Sequence, residues 1–153
     1  PGGERPGTQH NLLPTQALNY LLSAGLGGAA ASNAWYLTIF ANSITPTDSI
    51  TASNFAATPG EIVSATEGYT ETTRRASTAA AAAEGAMDNT ASRAAFTIAT
   101  ATSVTIRGAA LLSDFVKGGT HGVLMSIARY AQPRTEYAGN VFNLGYRVRL
   151  RPE

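Results

Sequence analysis

The sequence predicts a mainly β fold, an antiparallel β-sandwich or jelly roll, with a short N-terminal helix and an extended N-terminal arm. The first observation behind this is that the pattern after residue 92 is uniformly strand-like. "RAAFTIAT", "SVTIRGAALLS", "GVLMSIARY" and "NVFNLGYRVRL" follow one another, separated by the turn clusters "KGGTHG" and "AQPRTEYAG". The second is an earlier run, "NAWYLTIFA" at residues 33–41, rich in aromatic and β-branched side chains that suit a pleated, buried surface. The third is the lack of any repeat at a period of about 20 to 50 residues, which excludes a solenoid or propeller.

Taken in order, residues 1–11, "PGGERPGTQHN", hold two prolines and three glycines without apolar periodicity and read as the extended arm. In "PTQALNYLLSAGLGG", Pro14 suits a first helical turn. Ala17, Leu18, Leu21 and Leu22 recur at helical spacing and Gly25 offers a stop, so an amphipathic helix is expected over 14–24. In the 33–41 strand, Trp35, Leu37 and Ile39 alternate with Tyr36, Thr38 and Phe40, so at least one face is buried. Residues 42–60, dense in Thr, Ser and Pro, read as irregular loop, and 61–78 leave room for a short edge strand. The alanine tract "TAAAAAEGAMDNTAS" has high helix propensity but no apolar stripe, and Gly85 and Asp88-Asn89 interrupt it; it reads as a surface segment. The last run, from Asn140, alternates Phe142, Leu144, Tyr146, Val148 and Leu150 with Asn143, Gly145, Arg147, Arg149 and Arg151, as one strand with an oily face and an arginine face.

A chain of 153 residues carries one core, so residues 12–153 are expected to form a single domain. Charged residues make up 14%, against about 25% in an ordinary globular domain, which fits a protein packed against other subunits better than a solvated monomer. A net charge of +1 provides no field to gather nucleic acid or an anionic membrane, so neither is expected as a partner. Lys117 is the only lysine among ten arginines, and arginine is the cation better suited to interfaces. With no cysteine, disulfides and thiolate chemistry are excluded. No charged segment followed by an apolar run and cleavage site is visible, so secretion by a signal peptide is not expected.

Chemistry finds little foothold, and neither an enzyme nor a cofactor is expected. His10 lies in the arm and His121 in a turn, with no second ligand spaced to form a metal set. Ser126, His121 and Asp114 could be written as a triad, but no nucleophile-elbow motif supports it. Glu67 and Glu71, with Arg74 and Arg75 just behind, read as a solvated edge with local ion pairs. "KGGTHG" lacks the strand–loop–helix context of a phosphate loop and reads as a turn using glycine at positive φ. The patterned charge is the comb of Arg147, Arg149 and Arg151, which strand alternation sets on one face about 7 Å apart. It is either a solvated face or a docking surface for an acidic protein. Arg107, in "TIRG", carries the same two readings on another strand.

The succession "ALNYLL", "AWYLTIF", "TPTDS", "EGYTETTR", "AFTIATATSVTIRGAALLS", "KGGTHG", "GVLMSIARY" and "AGNVFNLGYRVRL" resembles a family of small virion proteins of tailed bacteriophages, the capsid decoration or cement proteins. The resemblance covers residues 11–150. It implies a jelly-roll or β-sandwich subunit, often a homotrimer, that binds the major capsid protein on the outside of the shell and stabilises the head. The chain would then be made in the host cytoplasm and reside on the virion. A tail or receptor-binding component that recognises a host surface is the alternative on the same scaffold.

Overall fold

The computed structural model describes residues 11–152, so the expected arm, apart from Asn11, lies outside the described residues. Helix α1 spans Thr15–Gly25, within a residue of expectation. Pro14 precedes it with extended backbone, and the Leu26 N–H closes the last turn on the Leu22 carbonyl. There follow β1 (Tyr36–Phe40), a short α2 (Ala52–Phe55), β2 (Gly68–Tyr69), β3 (Arg75–Ala76), β4 (Ala86–Asp88) and β5 (Ala94–Ala99). The chain closes with β6 (Val104–Leu112), β7 (Leu124–Glu136), β8 (Val141–Leu144) and β9 (Arg147–Arg149).

All strand pairs are antiparallel. They form a four-stranded sheet of order β3-β1-β6-β7, a three-stranded sheet of order β2-β5-β8 and a two-stranded ribbon β4-β9. The fold is therefore mainly β with one N-terminal helix, as expected. The two larger sheets face each other across a core that includes Leu37, Ile39 and Ile106 on one side and Tyr69, Phe96 and Phe142 on the other. Tyr69 and Phe96 meet edge to face at 4.9 Å between centroids, the arrangement that ring quadrupoles favour. The other face of the four-stranded sheet is buried too. Phe40, Ala110, Leu112, Leu124 and Ile127 pack there against Ile50, Ala52 and Phe55.

Serving two cores demands a change of phase within β6. Ile106 and Ala109 both face the sheet-to-sheet core although they stand three positions apart, an odd step that alternation would send to opposite faces. A bulge between Ile106 and Gly108 makes the switch. At Gly108 a Cβ would stand 2.2 Å from the Ala128 carbonyl oxygen and 2.3 Å from the Phe40 ring, so no larger residue fits.

The structure corrects three expectations. Residues 42–60 are not irregular throughout. Thr51 and Asn54 build a capping box, with the Thr51 N–H donating to Asn54 Oδ1 at 2.9 Å, and α2 buries Phe55. "AQPRTE" is not a turn, because β7 continues through it to pair Arg134, Thr135 and Glu136 with β6. The closing run is not one strand. It breaks at Gly145-Tyr146 into β8, paired with β5, and β9, paired with β4. The buried Asn89 side chain spans the break, accepting from the Tyr146 N–H at 2.7 Å and donating to the Leu144 carbonyl at 3.2 Å. The alternation survives it, since Phe142, Leu144 and Tyr146 all point inward.

Candidate functional site

Arg147, Arg149 and Arg151 are all exposed, but β9 supplies paired strand for only the first two. The comb is not free of opposing charge, because Arg147 stands across from Asp88 in the ribbon. The Asp88 carboxyl lies below the usual range, held there first by the Thr90 N–H and hydroxyl and then by the Arg147 charge. Arg107 is half-buried on β6, in a different sheet, so it does not extend the comb.

The "EGYTETTRR" segment is not a solvated edge. Arg74 is buried and pairs with a residue that composition did not single out, Glu61, in a bidentate contact of 2.7 Å (Nε–Oε1) and 2.8 Å (Nη2–Oε2). Burial without water requires every lone pair and proton to find a partner. Here the Thr38 hydroxyl and the Gly118 N–H donate to Glu61 at 2.8 and 2.9 Å. Arg74 also donates to the carbonyls of Asp114 and Gly119 at 2.9 and 3.2 Å. Gly118, at φ +72, is the positive-φ turn residue expected in "KGGTHG", and the turn it makes closes onto the ion pair.

Lys117 adds a second tie. Its ammonium sits 3.6 Å over the Tyr69 ring and donates to the Tyr69 and Glu71 carbonyls at 3.0 and 2.9 Å. Burial holds that ammonium below the usual lysine range, with Glu61 and Glu71 pulling it back up. Glu67 accepts from the Thr100 hydroxyl and the Ala101 N–H, and Glu71 from the Thr97 hydroxyl and N–H. Each of these groups is consumed by the fold.

Ser126 is buried against the Tyr146 hydroxyl, and His121 is exposed, so the written triad is not assembled. Among the described residues no three His, Asp or Glu side chains are placed to hold a metal ion, and no helix is long and apolar enough to cross a membrane.

The feature that sequence reasoning missed is on α1. Periodicity assigns Leu18 and Leu22 to the core together with Ala17 and Leu21. In the structure only Ala17 is fully buried, and Leu18, Leu22 and Leu26 form a ridge 47%, 59% and 85% exposed. Beside the ridge, α1, the alanine tract and β9 border an apolar hollow of about 540 Å³, lined by Leu21, Trp35, Met87, Met125, Val148 and Leu150 among others. No Asp, Glu, Lys or Arg occurs between residues 11 and 47, nor in the tract at 76–83, so α1 and the alanine tract bring no charge to this face; the charge lies at its margin, in Asp88, which lines the hollow, and in the arginines of β9. The charge gap was legible in the sequence, and it marks this face.

The chain matches no known family model and no curated protein sequence.

Proposed function

We propose that the chain is a structural subunit that works through surface shared with neighbours, a decoration protein of a tailed-phage capsid that docks on the major capsid protein and associates with copies of itself. The observation that carries this is the uncharged leucine ridge and the hollow beside it, an area that water would leave as a liability and that a neighbouring subunit would turn into binding energy. At about 25 cal/mol per Å² of apolar area removed from water, a small patch gives modest affinity, and many copies on one lattice multiply it. The sequence resemblance supplies the setting, and the exposed arginines of β9 provide a polar rim suited to an acidic neighbour.

Counting this chain in purified particles by mass spectrometry tests the reading. Decoration requires a copy number comparable to that of the coat protein, together with heads that become fragile when the chain is lost. A few copies confined to the tail would replace it with the receptor-binding alternative, and absence from particles would end it.

A further inference from the structure

On the flank of the sandwich a cleft of about 440 Å³ opens between β7 and β8, sharing no lining residue with the apolar hollow. Both are edge strands, each the last of its sheet. The cleft exists because β7 bulges there. Register passes from Gly108↔Arg129 directly to Ile106↔Arg134, so residues 130–133 stand out against Arg107 alone. Tyr130 and Gln132 from the bulge and Arg134 just beyond it form one wall, and Phe142, Asn143 and Leu144 of β8 form the other.

The free edge of β8 has a definite phase. Ile98 donates to the Asn140 carbonyl at 2.9 Å, which makes the pairs containing Phe142 and Leu144 the hydrogen-bonded ones with β5. The N–H and C=O groups of Val141 and Asn143 therefore point out of the sheet toward the open side. Arg93 closes the end of the cleft beside Gly145. Arg93 and Arg134 are both exposed and, among the described residues, neither forms an ion pair. The neighbouring acid, Glu136, accepts from Asn140 Nδ2 at 3.0 Å. The site thus combines an unpaired strand edge with two guanidinium groups and two side-chain amides.

We propose that this cleft takes an extended acidic segment of a partner chain, added as a strand along β8 with its carboxylates on Arg93 and Arg134. Strand addition supplies the main-chain hydrogen bonds and the arginines supply selectivity. Two arginines and a half-buried Tyr130 provide neither the basic stripe nor the stacking platform that a nucleic acid requires. The inference rests on the flank alone, so it stands or falls separately from the reading of the apolar face.

Fluorescence polarisation with the full chain and labelled ten-residue peptides tests it. A peptide alternating Thr and Glu should bind, and one alternating Thr and Lys should not. Arg93→Gln with Arg134→Gln should weaken the Glu peptide at least about tenfold, as expected for losing charge-assisted contacts, with the melting temperature unchanged. Methylating alternate peptide nitrogens keeps the charge but removes strand pairing, and should abolish binding to the unmodified chain, so the outcome does not depend on any variant folding. No binding of the Glu peptide, undiminished binding of the methylated peptide, equal binding to the glutamine variant, or full competition by inorganic phosphate or a single-stranded oligonucleotide would each overturn the proposal.

Discussion

The Glu61–Arg74 corner and helix α1 invert the usual rule in opposite directions. In the corner an ion pair lies in the interior, its side chains 0% exposed, while on α1 Leu26 is 85% exposed. The difference teaches that burial follows the partners on offer. The corner has a partner for each charged atom within the chain, from Thr38, Gly118, Asp114 and Gly119, so water is dispensable there. Among the described residues the ridge has no apolar partner to cover it, so it stays outside.

Arg74→Met is the strongest way to break this comparison. It strands Glu61 in the interior and should cost about 3–5 kcal/mol in urea unfolding, whereas Glu61→Met with Arg74→Leu should recover most of that loss. If the single and double variants unfold alike, the corner is not an interdependent pair. Asn89→Ala should cost about 1–3 kcal/mol, because it orphans the Tyr146 N–H and the Leu144 carbonyl, and amide exchange should quicken in β9 before β8. Equal exchange in the two strands would mean that Asn89 does not join them.

On the opposite side, Leu18→Ser, Leu22→Ser and Leu26→Ser should each change stability by less than about 0.5 kcal/mol. Together they should abolish association, read by sedimentation and by occupancy of particles. A large loss of stability would show that the ridge serves the monomer's own core. The smallest effect concerns acid. Burial alone would raise the Glu71 carboxyl, but the Thr97 hydroxyl and N–H outweigh it and hold it below the ordinary 4.5. A carboxyl lowered by folding contributes stability above its unfolded value, and that contribution is lost as pH falls through the folded value. Glu71→Gln should therefore flatten the decline in melting temperature below about pH 4.5. An unchanged slope would assign acid sensitivity elsewhere.

Much of the fold was legible because strand alternation and glycine-rich turns are local signals. α1, β1, β5, β6 and the positive-φ turn at Gly118 all stand where periodicity or turn chemistry puts them. The missed features depend on contacts distant in sequence. Nothing near Glu61 announces that Arg74 and Gly118 will meet it, and nothing in "AQPRTE" shows that β6 is waiting to pair it. Gly145 reads as one more alternating position until Arg93 is found beside it. The candidate surface was half legible. Helical spacing located the leucines, but spacing reports which residues share a face and not whether the chain has anything to set against it.

The grip on Lys117 has a practical corollary. It is the sole lysine of the chain, and its amine is tied to two carbonyls above an aromatic ring. Acylating reagents aimed at lysine must draw that amine off its two carbonyls, so the rate of labelling at this one nitrogen becomes a stopwatch for the release of the turn it anchors. A dye placed there would record breathing of the interior from a single, unambiguous address.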